Sequence, residues 1–239
     1  MKVSTAAAVV VSMALATVPL AGQTPPAIQE DRALRIGMIG AGAMGAPIGL
    51  ALAEAGHQVM FSSRNPAELM ELVQQASPRA SAGYADAAAY FADVIFLAVP
   101  PSAIPQLGQD YGDLMRGKIV IDLTNPRVDR DGEITNEWLA TGTGEAMAEY
   151  LPGTRFVKAF NTVAPRDFAN PLRDGVRVGV PIASDDEEAA QVTAALVRDV
   201  GLDPVVVGPL SRAKEFDRGT SIWETGASAE DIREALGLR

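Results

Sequence analysis

The sequence predicts a doubly wound α/β fold built on a parallel sheet, with a small C-terminal extension packed on it. Short apolar runs typical of buried strands alternate with helical segments along most of the chain. The first such run ends in glycines spaced Gly40-x-Gly42-x-x-Gly45, directly before a helical stretch. The run Val94–Val99 is apolar throughout, as expected for a strand buried on both faces of a parallel sheet.

The N-terminus predicts a segment that is not part of this fold. Residues 1–22 have the layout of a secretory signal peptide, with Lys2 followed by the apolar stretch Ala6–Ala16 and then Pro19. That stretch is too short for a stable membrane span. An uncleaved N-terminal anchor or a misassigned start codon are the alternatives. We expect a linker at residues 23–32 and one domain at residues 33–239. The protein is then periplasmic or secreted if the signal peptide is real, and otherwise cytoplasmic.

Composition excludes several classes of function. The net charge of −10 gives no electrostatic footprint for a nucleic-acid partner. The chain has no cysteine, which excludes disulfides, thiol catalysis and thiolate metal sites. His57 is the only histidine, which excludes a histidine metal cluster, and its predicted place in a turn before the second strand argues against a serine–histidine triad. We predict no metal site, and we predict that His57 is a surface or turn residue before the second strand.

The glycine loop indicates a Rossmann dinucleotide site. The predicted strand at Leu34–Ile39 leads into the loop, and a helix at 46–55 and a second strand at 58–61 follow it. Gly40 permits the tight turn, Gly42 lets the backbone approach a pyrophosphate, and Gly45 lets helix and strand pack closely. The amides and positive dipole end of the helix then hold the phosphates.

The end of the second strand favours NADP over NAD. An NAD-preferring fold carries an acidic residue here to bind the ribose 2′-hydroxyl. This chain has Ser62, Ser63 and Arg64 instead, which suit a 2′-phosphate because they offer two hydroxyls and a charge-assisted donor. A cap by Ser63 or Asn65 on the helix that follows is the alternative interpretation, and it is compatible with the first.

Two later strands deliver candidate residues to the same edge of the sheet, where ligands bind in this architecture. Val99 and Pro100 follow the fourth strand and are expected to pack on the ribose or nicotinamide, although a simple helix start explains the prolines almost as well. Thr124 and Asn125 follow the strand at 118–123 and could hydrogen-bond a carboxamide or a substrate. We predict that the charged stretch Arg127–Thr135 is a mobile loop.

The remaining elements are predicted from their periodicity. We expect further helices or strands at residues 67–76, 79–82, 86–91, 144–150, 155–162, 185–200 and 204–207. The segment from Pro209 to the end is predicted to be irregular to helical.

Together these motifs resemble the coenzyme F420-dependent NADP oxidoreductase family. The resemblance covers about residues 34–223. Its most specific parts are the stretch Lys158-Ala159-Phe160-Asn161-Thr162 and the stretch Gly208-Pro209-Leu210-Ser211, which occur in this order after the glycine loop and Ser63-Arg64-Asn65-Pro66. The chain departs from the family at residues 214–219, where a polar segment replaces an apolar helix on the side of the second cofactor.

The resemblance implies an enzyme that binds NADP(H) and transfers a hydride directly between the nicotinamide and a deazaflavin (F420) or flavin, with no catalytic side chain. It also implies which residues bind the cofactors. The pyrophosphate residues are Gly40, Gly42, Ala43, Met44 and Gly45. The 2′-phosphate residues are Ser63 and Arg64, and the nicotinamide is bordered by Val99, Pro100, Ala159 and Asn161.

Two other functions stay open at this stage. One is an NADPH-dependent flavin or metal reductase, and the other is a non-catalytic NADP-binding module. Lys158 is expected only to pack beside the site, although a lysine at a strand end could instead donate a proton to a substrate. The family's habit favours a homodimer.

Overall fold

The computed structural model describes residues 33–238 and shows an α/β domain whose sheet has eight strands. The expectations for residues 1–22 and 23–32 lie outside the described residues. The sheet strands are β1 Arg35–Ile39, β2 Gln58–Ser62, β3 Ala80–Gly83, β4 Val94–Leu97, β5 Ile119–Asp122, β6 Arg155–Lys158, β9 Gly179–Ala183 and β10 Asp203–Gly208. The short strands β7 Leu172–Arg173 and β8 Val176–Arg177 form a separate hairpin.

The strand order confirms the doubly wound topology. The order is β10-β9-β6-β5-β4-β1-β2-β3, and the strands from β1 to β6 are all parallel. The chain moves outward from β1 to β3 and then crosses to β4 on the other side of β1. In open α/β sheets, ligands bind at the carboxyl ends of the strands next to such a switch point.

Helices flank the sheet along its length. They are α1 Gly45–Glu54, α2 Met70–Gln75, α3 Ala85–Phe91, α4 Ile104–Met115, α5 Val128–Asp131, α6 Ile134–Thr141, α7 Thr143–Ala148, α8 Pro165–Ala169, α9 Glu187–Asp199 and α10 Ala229–Ala235. Short 3-10 turns precede α2 and α4, at Pro66–Leu69 and Pro101–Ala103. Within residues 33–238, no helix combines the length and apolarity that a bilayer crossing requires.

Both faces of the sheet are buried, as the apolar run in β4 predicted. Val94 and Phe96 belong to one core cluster, whereas Ile95 and Leu97 belong to another. Alternate side chains of a strand point to opposite faces, so each cluster fills one side of the sheet.

Two predictions about the elements were wrong. Residues 127–135 are not a mobile loop, because α5 and the start of α6 lie there. The strand β9 was not predicted, and it reverses the sheet, since it is antiparallel to β6 and parallel to β10. Its Pro181 lacks an amide and argues against a central strand. The ladder from β9 to β6 has one pair, Lys158 and Ala183, so a proline interrupts little of it.

The C-terminal extension packs on the β9–β10 end of the sheet, as expected. After β10 the chain forms a 3-10 helix at Leu210–Phe216 and then α10. Its Phe216, Ile222 and Ile232 make a third core cluster with Val205 and Val207 of β10.

Candidate functional site

The glycine loop joins β1 to α1 by close backbone contact. Gly40 has a φ of +98°, which favours glycine, and a Cβ on it would lie 2.5 Å from the carbonyl of Ala98. A Cβ on Gly45 would lie 1.9 Å from the carbonyl of Gly40. The roles predicted for these two glycines therefore follow from the packing.

Gly42 differs from the other two because space lies open above it. A Cβ added there would meet no heavy atom within 4 Å, and the residue borders a cavity. The protein itself thus does not require glycine at this position, whereas a ligand that approaches the backbone would. In the first turn of α1 the Ala46 amide donates to the carbonyl of Gly42 at 3.0 Å and Pro47 has no amide, so this helix end offers an anion few free donors.

The corner after β2 leaves one cation without a protein partner. Arg64 is exposed, borders the same cavity, and makes no hydrogen bond or ion pair within the described chain. The Ser63 hydroxyl accepts from the Asn65 amide at 3.0 Å and keeps its own proton free to donate. The Asn65 side chain binds Glu68 at 2.7 Å and restrains the acidic group nearest to this corner.

These residues belong to a cavity of about 790 Å³, which we call the glycine-loop cavity. The loop and the β2 corner form one side of it, and α4 forms the other with Leu107 and Tyr111. Its volume is in the range of a cofactor site.

A buried ion pair shapes the end of β5. Lys158 is fully buried, and its Nζ donates to Asp122 at 2.8 Å and to the carbonyl oxygen of Thr124 at 2.5 Å. Asp122 also accepts from the Thr124 amide at 2.9 Å. These contacts fix the peptide of Thr124 in place. The Thr124 hydroxyl itself is buried and has no hydrogen-bond partner. Thr124 also borders a second cavity, which adjoins the glycine-loop cavity.

Asn161 connects three distant parts of the chain. Its carbonyl accepts from the Asn125 side chain at 2.7 Å and from the Trp223 indole at 3.1 Å, and its side chain donates to the carbonyl of Phe216 at 3.0 Å. The preceding Phe160 has a φ of +63°, which is uncommon for a residue with a side chain. The strained turn after β6 thus ties β5 to the C-terminal extension.

The second cavity, of about 440 Å³, lies among these segments, and we call it the arginine cavity. Three arginines border it, together with one acidic residue, Glu224. Arg127 pairs with Asp129, and Arg130 pairs with Asp131. The complete lining is Ala43, Met44, Ala98, Val99, Pro100, Leu123, Thr124, Asn125, Arg127, Arg130, Arg218, Trp223 and Glu224.

A buried carboxylate fixes the wall that carries two of the arginines. Asp131 accepts from the Ser102 hydroxyl at 2.9 Å, from the Arg127 amide at 2.9 Å and from the Arg130 guanidinium at 2.8 Å. Burial alone would raise the pKa of Asp131, but the hydrogen bonds from Arg130, the Arg127 amide and Ser102 outweigh it and hold the pKa below its ordinary value. This network orders the stretch for which a mobile loop was predicted.

The two cavities share a wall made by residues 98–100 and together form one cleft at the carboxyl edge of β1, β4 and β5. Most of the predicted cofactor residues meet there. Gly40, Gly42, Ser62, Ser63, Arg64, Val99 and Pro100 border the glycine-loop cavity, and Ala43, Met44, Val99, Pro100 and Asn125 border the arginine cavity.

Three predicted residues border neither cavity. Gly45 is buried against the loop, Ala159 is fully buried in the core, and Asn161 lies behind the wall that Asn125 and Trp223 form. Ser62 borders the glycine-loop cavity, but its hydroxyl donates to the carbonyl of Met38 at 3.1 Å inside the sheet. It is therefore less available to a phosphate than Ser63.

His57 lies at the opposite edge of the sheet, before β2. It lies between the turn at residues 55–56 and β2, where it was predicted, but it is buried rather than at the surface. Its Nδ1 accepts from the Leu34 amide at 3.1 Å, and its Nε2 lies 3.0 Å from Asp199. These contacts make it a structural residue. Among residues 33–238, no group of three or more histidine or carboxylate side chains converges to hold a metal ion.

The sequence prediction missed the residues that give the arginine cavity its charge and its aromatic side. The sequence predicts a mobile loop around Arg130, and it predicts no role for Arg218 or Trp223. The departure from the family pattern at residues 214–219 was a signal for Arg218. Nothing in the pattern signalled that Trp223 reaches the same cavity.

The first part of the chain matches a known family model. Residues 35–126, from β1 to just beyond β5, match the model of the NADP oxidoreductases, coenzyme F420-dependent. The resemblance to this family is confirmed over these residues.

Named relatives include two kinds of reductase. The metalloreductase STEAP3 of Rattus norvegicus is 28% identical over 183 residues, which are 77% of this chain and 36% of that protein. The F420-dependent NADP reductase of Methanothermobacter thermautotrophicus is 26% identical over 203 residues, which are 79% of this chain and 87% of that protein. The chain thus spans little more than a third of the metalloreductases that it matches.

Solved structures agree on the fold. A hypothetical protein from Sinorhizobium meliloti superposes with a TM-score of 0.66 at 25% identity, covering 81% of this chain and 94% of that one. A protein proposed to be an F420-dependent NADP-reductase, from Arthrobacter sp. FB24, gives a TM-score of 0.67 at 23% identity over 76% of this chain and 88% of that one. The matching model describes NADP oxidoreductases and the named relatives are reductases, whose names differ in the acceptor.

Proposed function

We propose that this protein transfers a hydride between NADPH and a deazaflavin (F420) or flavin acceptor. The observation that carries the proposal is the continuous cleft at the carboxyl edge of the sheet. Its glycine-loop cavity suits a dinucleotide, and its arginine cavity adjoins that site across Val99 and Pro100. Two compartments with one shared wall match a reaction between two ring systems that must meet face to face.

The fit to NADPH rests on Gly42 and Arg64. The open space above Gly42 can admit a pyrophosphate to the backbone. Arg64 and the free proton of the Ser63 hydroxyl would bind the 2′-phosphate. Glu68 is the acidic residue at this corner, and its carboxylate accepts a hydrogen bond from the Asn65 side chain. Bound NADPH would supply the hydride.

Asn125 and Thr124 would then orient the reacting ring. The side-chain oxygen of Asn125, Oδ1, is buried without a partner, and so is the Thr124 hydroxyl. Buried polar groups without a partner are costly, so a ligand with both donors and acceptors, such as a carboxamide, fits between them. Direct hydride transfer demands no acid or base from the protein, and Lys158 is held away from the cleft by Asp122.

Stopped-flow mixing tests this proposal directly. The protein is preincubated with NADPH and mixed anaerobically with oxidised F420 or with a flavin, while the absorbance of both chromophores is followed. We expect NADPH and the oxidised acceptor to disappear together and in equal molar amounts. NADPH binding without oxidation by any of these acceptors would instead support a non-catalytic NADP-binding module.

A second candidate is a flavin-mediated metal reductase, which the similarity to metalloreductases favours. In that case a flavin reduced by NADPH would pass electrons on to a metal complex. Adding a ferric chelate to the same mixture with a catalytic amount of flavin distinguishes the two. Both consume one NADPH per two ferric ions, but the rate saturates with the chelate only for a metal reductase, whereas reduced flavin released into solution reacts in proportion to the chelate concentration.

A further inference from the structure

We propose that the arginine cavity selects an acceptor that carries a phosphate group, and that Arg218 is the residue that binds it. This inference rests on the proposed function and names a chemical feature of the acceptor. The protein has a net charge of −10, yet this cavity is bordered by three arginines and one glutamate. Two of these arginines are ion-paired with aspartates, so the unpaired positive charge that can attract an anionic ligand here is that of Arg218.

The three arginines are not equivalent. Arg127 forms two hydrogen bonds with Asp129, and Arg130 is bound by Asp131 and by the carbonyl of Asn125. Arg218 makes no hydrogen bond or ion pair with any part of the described chain. Its charge contributes to the lowered pKa of Asp129, which is caused mainly by the hydrogen bond from Arg127. Arg218 therefore lies near the Arg127–Asp129 pair but is not neutralised by direct contact.

The position of Arg218 is restrained by the contacts of its neighbour in the chain and by an aromatic ring. The adjacent Asp217 is buried and accepts from the amide of Thr143 at 2.9 Å and also from its hydroxyl. The guanidinium of Arg218 lies over the Trp223 ring, 4.9 Å from the ring centre. Stacking on an aromatic face restrains the planar guanidinium while all of its N–H donors stay free for a planar or tetrahedral anion.

A second observation also indicates a ligand in this cavity. The Thr124 side chain is 4% exposed, borders the cavity, and has a buried hydroxyl without a partner. Besides the Arg218 guanidinium, the cavity thus offers a second polar atom that a bound molecule can satisfy. The hydroxyl, which orients the reacting ring in the proposed function, indicates that the cavity takes a ligand, and the free arginine indicates that the acceptor there is negatively charged.

A phosphate in this cavity could come from the acceptor or from the pyrophosphate of NADPH, since Ala43 and Met44 also border it. Matched ligands separate the two sources. FMN and riboflavin differ by one phosphate, and F420 and its chromophore differ by the phosphate-bearing tail. Dissociation constants are measured by calorimetry on the protein saturated with NADP⁺, so that no turnover occurs, and the NADPH constant is measured separately.

We expect the phosphorylated member of at least one pair to bind at least tenfold more tightly than its partner. Arg218→Ala should reduce that ratio to within twofold and leave the NADPH constant unchanged. Arg116→Ala is the control, because Arg116 is exposed, pairs with Asp113 and borders neither cavity. Since Arg218 is exposed, the substitution should not disturb folding.

Three results would overturn the inference. The unmodified protein could bind both members of each pair equally, or bind neither phosphorylated ligand. Alternatively, Arg218→Ala could weaken NADPH and leave the ratio intact, which would assign Arg218 to the pyrophosphate. If the unmodified protein does not bind NADPH, the proposed function itself is overturned, which is a separate result.

Discussion

The glycine-loop cavity and the arginine cavity share one wall but differ in charge and in construction. Arg64 is the one arginine of the first, where Glu68 and Asp110 also lie, whereas the second has three arginines. The first takes all its walls from residues 39–111. The second draws on segments from residue 43 to residue 224.

In the proposed function the two cavities have different tasks, since the glycine-loop cavity binds the cofactor and the arginine cavity binds the acceptor. Contacts between neighbouring elements of the sheet build the glycine-loop cavity, so its cofactor specificity depends on a short stretch of sequence. The arginine cavity exists because Asn161 ties Asn125 to Trp223 across the strained turn at Phe160. Under the proposed function, changes in the C-terminal extension would therefore alter the acceptor without altering the cofactor.

The largest expected effect is on stability and comes from Lys158→Met, which removes one partner of a buried ion pair. The substitution leaves the buried carboxylate of Asp122 unpaired. Breaking a buried pair in this way typically costs about 3–5 kcal/mol, and we expect a loss of this size in urea-induced unfolding. Turnover, measured where the variant is folded, should stay within threefold because Lys158 borders neither cavity.

The double variant Lys158→Met/Asp122→Asn is the control. It removes both charges and keeps an acceptor for the Thr124 amide, so it should recover much of the lost stability. A hundredfold fall in turnover for Lys158→Met, with unchanged NADPH affinity, would contradict this account. It would indicate that the lysine donates a proton in the transition state and that the substrate is a carbonyl or an imine.

Gly42→Val tests whether the glycine-loop cavity holds the pyrophosphate. The new side chain meets no protein atom at its Cβ, so circular dichroism and the melting temperature should stay unchanged. NADPH binding should weaken by more than a hundredfold because the valine occupies the space of the ligand. Gly112→Val in α4 is the matched control, since its Cβ also meets open space. Normal NADPH binding by a folded Gly42→Val protein would place the phosphates elsewhere.

Arg64→Ala examines the cationic corner of the glycine-loop cavity. We expect NADPH to bind the unmodified protein at least tenfold more tightly than NADH, because a charge-assisted contact is typically worth about 1.5–3 kcal/mol. The substitution should weaken NADPH to the level of NADH and leave NADH nearly unchanged. Arg218→Ala should do neither. Equal affinities of the unmodified protein for NADPH and NADH would contradict the proposed preference for NADP.

The smallest effect is expected for His57→Gln, because His57 lies at the far edge of the sheet from both cavities. Activity should stay within twofold. Stability should fall by about 1 kcal/mol as the hydrogen bonds to the Leu34 amide and Asp199 weaken. Thermal unfolding and steady-state rates measure both effects. A large loss of activity at unchanged stability would mean that this edge takes part in the reaction.

The sequence determined the glycine loop, the β2 corner and the parallel half of the sheet. These features follow from local rules, namely the spacing of the glycines, the apolar run of β4 and the absence of an acidic residue after β2. Each depends on residues within a few positions of one another. A single sequence can therefore reveal them.

Tertiary structure alone decided the rest. The order of residues 127–135 depends on one buried carboxylate, Asp131, that meets Ser102 from another segment. The strand β9 is extended because β10 pairs with it, despite its proline. Arg218 and Trp223 reach the cleft only through Asp217, Thr143 and Asn161, which lie up to 74 positions apart in the chain. Contacts over such distances leave no periodicity in the sequence, so the charge of the arginine cavity appears only when the chain is folded.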